Sequence, residues 1–250
     1  MDAIVLAGAM NSGALRKVSP AAFEAEIEIA GRPMLDYVLQ ALRSVSVIQR
    51  IIVVGPDSLL TSSMRDKISL VVDRGDSLDE SLMNGLNVLN VEEPVLIVTA
   101  DIPLITREAL EDFLMRCRAR KGDIYYSFVS KEMNEQKYPG VQRTYVRLKE
   151  GVFTGGNLAL ISPRVIRDHL ETLKRAASMR KKPLQLFAML GWKYLFKLIG
   201  GKLTIREIEE RVAKILSFKA IGIVSPYPEV GIDVDKPSDL VLAWKVLSKC

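Results

Sequence analysis

Histidine and cysteine are nearly missing from this chain of 250 residues. The single histidine, His169, leaves no partner for a zinc site and no second imidazole for a His-dependent triad. Catalysis, if present, must fall to carboxylates, a hard cation, lysine or arginine. The two cysteines, Cys117 and Cys250, cannot build a disulfide framework and fit a reducing compartment. No apolar run approaches the ~18 residues that cross a bilayer. The opening Met1-Asp2-Ala3-Ile4-Val5-Leu6 has no basic segment and is expected to be a first strand rather than a leader. These absences set the expectation of a soluble, cytoplasmic protein with no membrane contact.

What remains is ordinary for a globular protein, with 48% hydrophobic and 26% charged residues. The length suffices for a sizeable core, and no repeat, low-complexity tract or linker divides it, so one domain over residues 1–250 is expected. The net charge of +5 is spread along the chain, with Arg180-Lys181-Lys182 the densest run. No RNA- or DNA-binding signature accompanies it. Phosphorylated small molecules suit that excess, and nucleic acid is not an expected partner.

Strands and helices alternate through the first half. Ala3–Leu6 is an apolar strand ending at Gly8, and Phe23–Ile29 alternates apolar residues with Glu24, Glu26 and Glu28, the period of a half-exposed strand. Gly31-Arg32-Pro33 opens a helix striped by Leu35, Val38, Leu39 and Leu42. Ile51–Val54, Leu70–Val72 and Val95–Val98 read as buried strands. Ser77 and Glu80 form a capping box for a helix with Leu78, Leu82, Leu86 and Leu89 on its buried face, and Thr106 caps the next. This rhythm specifies a parallel sheet with helices on both faces. The second half departs from it. Ile124–Val129, Thr144–Leu148 and Phe153–Ile161 suggest antiparallel pairing, and residues 163–216 read as a helical insertion. Ala220–Val224 is a last strand, and Pro237 opens a closing helix. The fold class is therefore α/β, three layers deep, with a mostly parallel, mixed sheet.

The candidate chemistry lies at strand ends. The small loop Leu6-Ala7-Gly8-Ala9-Met10-Asn11-Ser12-Gly13 lets backbone N–H groups approach phosphate oxygens, and Arg16 and Lys17 could add charge; an ordinary strand–helix turn reads the same way. Asp101 follows an apolar strand at the edge where open α/β sheets bind ligands, and Mg²⁺ takes one or two carboxylates beside phosphate oxygens. The alternative is an Asp that caps the turn before Pro103. Of Asp233 and Asp235, alternate residues on an extended segment, one is expected to join Asp101 and the other to cap the helix at Pro237. In Thr154-Gly155-Gly156-Asn157, Asn157 either contacts an acceptor or bonds to backbone at a glycine bulge. The dense apolar residues of the insertion, Trp192 and Phe196 among them, are expected to be mostly buried, and His169 exposed.

Taken in order, Leu6-Ala7-Gly8, Ala30-Gly31-Arg32-Pro33-Met34-Leu35, Thr99-Ala100-Asp101-Ile102-Pro103-Leu104 and Asp233-Val234-Asp235-Lys236-Pro237-Ser238-Asp239-Leu240 carry a resemblance. The chain resembles the nucleotidyltransferase superfamily of GT-A-type, Rossmann-like fold, in the MobA-like NTP transferase branch similar to molybdenum-cofactor guanylyltransferase. The resemblance implies Mg²⁺-dependent transfer of a nucleoside monophosphate from a nucleoside triphosphate to a phosphorylated acceptor, with release of pyrophosphate; a monomer and a homodimer both fit the sequence. It implies a triphosphate at Leu6, Ala7, Gly8 and Ala9, base or ribose near Gly75 and Ser77, and Mg²⁺ on Asp101 and Asp235. Two positions depart from the family's pattern. Ala9 stands where a second glycine is usual, and Glu24 stands where a lysine usually meets the phosphates. A nucleotide-binding protein without catalysis and a nucleotide-sugar glycosyltransferase remain the alternatives.

Overall fold

The computed structural model describes residues 1–89, 93–178 and 190–249. Arg180, Lys181, Lys182, Leu186, Phe187 and Cys250 lie outside the described residues. Strands β1 (Asp2–Leu6), β4 (Arg50–Val54), β5 (Leu70–Val72) and β6 (Val95–Thr99) form one half of the main sheet, and β7 (Ile124–Ser130), β9 (Gly151–Ile161) and β10 (Ala220–Ser225) the other. The order is β10-β7-β9-β6-β1-β4-β5, with β8 (Val146–Leu148) paired to β9. Neighbours run parallel except β9, which is antiparallel to β6, β7 and β8. The expected mixed, mostly parallel sheet is what forms.

Alternation along the strands splits the core into two layers. Ala3, Val5, Ile51, Val53, Leu96 and Val98 face one side, against α1 (Met34–Arg43) and α4 (Arg107–Arg118) through Leu35, Val38, Leu39, Leu42, Leu110 and Phe113. Ile4, Ile52, Val54, Val95 and Ile97 face the other, against α3 (Leu78–Asn87) and α6 (Pro163–Ser178). The remaining α-helices among the described residues are α2 (Ser62–Arg65), α5 (Lys131–Lys137), α7 (Trp192–Ile199), α8 (Ile205–Leu216) and α9 (Pro237–Leu247). Among the described residues, no helix is long and apolar enough to cross a membrane.

Several expectations are corrected. Phe23–Ile29 is not one strand: Glu24–Glu26 is a 3-10 turn, and Glu28–Ile29 (β2) pairs in a hairpin with Arg32–Pro33 (β3). Ala30 and Gly31 make its two-residue turn at φ 49° and 78°, the doubly positive geometry that suits the twist of a tight hairpin. Helix α1 therefore starts at Met34, after Pro33. His169 is half-buried, not exposed; it has non-helical φ/ψ inside α6 and meets the Phe218 ring edge-on at 5.0 Å.

The insertion departs most. In α7, Leu198 and Tyr194 pack with Leu148, Phe153 and Leu203, but Trp192 is 75% exposed and Phe196 68%. Trp192, Phe196 and Ile199 recur at i, i+4 and i+7, so they form the helix face opposite the packed one. Apolar density in sequence counts apolar faces; it does not reveal whether a neighbouring element covers each one.

Candidate active site

The first loop is built from β1 outward. Ala100 donates its N–H to the Leu6 carbonyl at 3.1 Å, which sets the loop beside the end of β6. Buried Asn11 ties the loop's far side, its Nδ2 donating to the carbonyls of Ser19 at 3.1 Å and Ala21 at 3.0 Å. Gly8 is required by close approach: a Cβ there would lie 2.6 Å from the Arg74 Cβ. The Arg74 side chain thus lies across the loop, with its guanidinium 5.9 Å from the Phe23 ring centre. Ala9 has no strained geometry to bear, since Ala30 and Ser217 are the non-glycine residues at positive φ among the described residues.

The turn after β5 is equally constrained. A Cβ on Gly75 would meet the Glu80 Cβ at 2.2 Å, while the Gly75 N–H donates to the Ser81 hydroxyl at 3.0 Å. Ser77 caps α3 by accepting from the Glu80 N–H, but the Glu80 carboxylate accepts from Asp76 rather than from Ser77 itself. Together the first loop and this turn line a cavity of about 320 Å³, with Leu6, Ala7, Gly8, Ala9, Gly75 and Ser77 in its wall and Asp101 and Glu24 at its edge.

Three carboxylates from distant segments meet there. Asp101 follows β6 and accepts a hydrogen bond from the Thr99 hydroxyl. Glu24 is held by its own N–H, which donates to the Ala9 carbonyl at 3.0 Å. Asp235 arrives from the far end of the chain because the Val234 N–H donates to the Asp101 carbonyl at 2.8 Å. One carboxylate oxygen from each of Glu24, Asp101 and Asp235 lies within 4.8 Å of the others, and all three residues are partly buried. Two such charges at that separation repel by about 3–4 kcal/mol at an effective dielectric near 20. Hard oxygen donors converging from three segments suit Mg²⁺, which would offset that repulsion.

Other expected positions fall elsewhere. Asp233 is outside this cluster: its carboxylate pairs with Arg143 Nε at 3.3 Å. Asp235 does not cap the last helix. The N-cap there is Lys236, with no side-chain cap, and Asp239 in the first turn reaches back to accept from the Asp235 N–H at 3.3 Å. Arg143, nearly buried, joins the segment together by pairing with Asp239 at 3.3 Å and donating to the carbonyls of Gly231 and Asp233. Arg16 turns to the outside of the first loop, donating to the Pro20 and Ala21 carbonyls, and neither Arg16 nor Lys17 lines the cavity. The cation in the cavity wall is Arg74. Asn157 donates to the Val230 carbonyl at 3.4 Å beside a shift of register between β7 and β9.

Asn157 also lines a second cavity of about 910 Å³ beneath the sheet, together with Arg143, Asp233, Asp235 and Lys236. Leu6, Leu78 and Thr99 line both cavities. The carboxylate cluster therefore stands at a junction between two spaces, a smaller one walled by loop backbone and a larger one behind it. Sequence gave no signal for Arg74 or Arg143, whose places follow from long-range packing. Glu24 was visible, but only as an ill-fitting charge.

A family model described as a MobA-like NTP transferase domain matches residues 3–185. A hypothetical transferase from Thermus thermophilus is 38% identical and superposes with a TM-score of 0.83, over 96% of this chain and 98% of that one. A nucleotidyl transferase from Methanothermobacter thermautotrophicus is 15% identical, with a TM-score of 0.60 over 99% and 97% of the two chains. A 4-diphosphocytidyl-2C-methyl-D-erythritol synthase from Anaerococcus prevotii is also 15% identical, with a TM-score of 0.58 over the same shares. These last two likenesses concern the fold. No curated protein sequence matches the chain.

Proposed function

The chain belongs to the MobA-like NTP transferase family, and from that premise we propose that it moves a nucleoside monophosphate from an NTP to an acceptor phosphate. An acceptor phosphate oxygen attacks the α-phosphorus, the bond from that phosphorus to the bridging oxygen breaks, and pyrophosphate leaves with the electron pair. The acceptor is already an anion, so positioning and charge neutralisation replace a general base.

The observation that carries this reading is the convergence of Glu24, Asp101 and Asp235 at the junction of the two cavities. Glu24, Asp101 and Asp235 would hold Mg²⁺, which supplies positive charge for the triphosphate oxygens. Gly8 and Ala9 offer a bare loop to the phosphates, and Arg74 adds a cation where Arg16 and Lys17 do not reach. Gly75 and Ser77 border the same space, where a base or ribose fits, and Asn157 faces the acceptor side.

A binding protein without catalysis is less well supported. Ala9 has an ordinary backbone, and Glu24 stands within a carboxylate cluster rather than alone against phosphate. The test is a thermal-shift screen of the four NTPs with and without Mg²⁺, followed by product analysis. An NTP at 100 times its Kd adds about 2.7 kcal/mol of stability. Pyrophosphate release with an acceptor phosphate supports the proposal. Free nucleoside diphosphate from a nucleotide sugar would indicate glycosyl transfer instead, and binding without turnover would indicate a non-catalytic module.

A further inference from the structure

Helix α8 is amphipathic, with Ile205, Ile208, Val212, Ile215 and Leu216 on one face. That face turns toward the sheet, yet no residue of the helix is fully buried. The reason is the cavity of about 910 Å³ between α8 and the strands, which these side chains line. On the opposite wall stand Ile97, Ile124, Tyr126, Ala159 and Ile161. Such a gap forfeits the dispersion contacts that an apolar helix face and an apolar sheet face ordinarily make with each other. Its size is that of a ligand site.

The cavity has a direction. Asn157, Ala159 and Ile161 are alternate residues on one face of β9, and all three line it. Four residues of strand cover ~13 Å. The Asn157 end meets Arg143, Asp235 and Lys236, whereas the Ile161 end is walled by Ile124, Phe218 and Leu216. Two polar groups in the apolar stretch are already engaged: Glu209 accepts from Arg120 at 2.6 Å and from the Gly222 N–H at 2.9 Å, and the Tyr126 hydroxyl donates to the Gly156 carbonyl at 2.8 Å. The apolar end is therefore a poor host for a sugar or polyol, which would lose hydrogen bonds on entry.

We propose that this cavity takes the hydrocarbon portion of the acceptor, so that the acceptor is a phosphomonoester carried on an alkyl or isoprenoid-like chain. Its phosphate sits at the Asn157 end, beside the carboxylate cluster, and its chain runs beneath β9 along α8. The assignment rests on the nucleotidyl-transfer reading. It adds a class of acceptor that the polar groups alone do not specify.

The experiment compares decyl phosphate with butyl phosphate, below the micellar concentration of either, by calorimetric titration of the full chain and as acceptors in a pyrophosphate-release assay with Mg²⁺ and each NTP. Each methylene removed from water is worth about fourfold in affinity. With six additional methylenes and incomplete burial, decyl phosphate should bind at least ~100-fold more tightly and show a correspondingly lower KM. Ile208→Trp, which fills the cavity, should remove most of that advantage while Mg·NTP binding, measured separately, reports on the other cavity. Val212→Phe serves the same purpose should the tryptophan variant fail to fold. Equal affinity for the two chains, as for a cavity already filled from within the chain, would overturn the inference. So would a decyl advantage that both variants leave intact. A cavity-dependent decyl advantage with no binding of any NTP would instead overturn the transferase reading, and the acceptor role with it.

Discussion

The backbone N–H of Val234 donates to the carbonyl of Asp101 at 2.8 Å, joining segments 133 positions apart. Because side chains alternate on extended backbone, seating Val234 in the core beneath the loop leaves its neighbour Asp235 at the carboxylate cluster. One hydrogen bond thus sets the register of a candidate metal site, and Arg143 holds the same segment from its other side.

Replacing Arg143 should therefore disturb the carboxylate cluster, although Arg143 is not one of its members. Arg143→Lys keeps the charge but loses the planar fork that reaches Asp239, Asp233 and three carbonyls at once. We expect a lower melting temperature together with weaker Mg·NTP binding. Arg143→Ala, which strands the buried Asp239, should destabilise the fold by about 3–5 kcal/mol. Differential scanning calorimetry alongside nucleotide titration checks both, and unchanged nucleotide affinity in a folded Arg143→Lys protein would detach this arginine from the site.

Glu24 gives a prediction of opposite sign from the one its sequence position suggests. A carboxylate alone beside triphosphate repels it, and replacement by lysine would then help. As one of three carboxylates within 4.8 Å, Glu24 should instead support Mg²⁺. Glu24→Gln is expected to weaken Mg²⁺-dependent nucleotide binding by at least the ~10–100-fold that loss of an outer-shell partner produces. Titrating Mg²⁺ at fixed NTP measures it. An equal or tighter Mg²⁺ requirement in the variant would return Glu24 to the role of a repelling charge.

Gly75 is fixed by space rather than by backbone freedom. A Cβ there meets the Glu80 Cβ at 2.2 Å and the Glu80 backbone at 2.9 Å, so Gly75→Ala must displace the start of α3. The expected penalty is about 1–3 kcal/mol, which for a chain of this size lowers the melting temperature by several degrees. Nucleotide affinity should fall too, since the turn walls the smaller cavity. A thermal melt with and without Mg·NTP separates the two effects.

Asp36 supplies the pH dependence. Burial alone would raise its carboxyl, but hydrogen bonds and charge from Lys67 and Arg32 outweigh it and hold the group below its ordinary value. Arg32 reaches it through Nε at 2.9 Å and Nη2 at 2.6 Å, and Lys67 through Nζ. A depressed folded-state value means that the contribution is fully present above the unfolded-state value near ~3.9 and is lost as pH falls through the lower folded one. Asp36→Asn should be less stable than the parent at pH 7, and the gap should close as pH drops below about 4. Chemical denaturation at a series of pH values follows it directly; a gap that persists at pH 2.5 would show that packing, not charge, accounts for the loss.

Much of the fold was legible because buried strands advertise themselves. Ile51–Val54 and Val95–Val98 are apolar on both faces, as strands covered by helices on both sides must be. Asp101 and Asp235 could be found because each follows such a strand or core segment. What escaped depended on tertiary contact. The period-two run of Phe23–Ile29 fits a strand, yet the positive φ at Ala30 and Gly31 folds its end into a hairpin, while its start is a 3-10 turn whose Glu24 N–H is held by the Ala9 carbonyl. The apolar density of α7 was visible, but not that Trp192 and Phe196 face solvent; α8 was read only as part of a helical stretch, with no sign that it stands off the sheet. Hydropathy patterns name faces; only the assembled chain shows which faces meet.

The central claim, that nucleotide is bound through the carboxylate cluster, is most directly tested by Mg²⁺-dependent NTP binding to the parent, Asp101→Asn and Asp235→Asn proteins. The account predicts that the parent's melting temperature rises with Mg²⁺ and at least one NTP together, more than with either alone. Each variant should keep its fold and lose most of that rise. If both variants respond to Mg·NTP as the parent does, the nucleotide site lies elsewhere and the account is wrong at its centre.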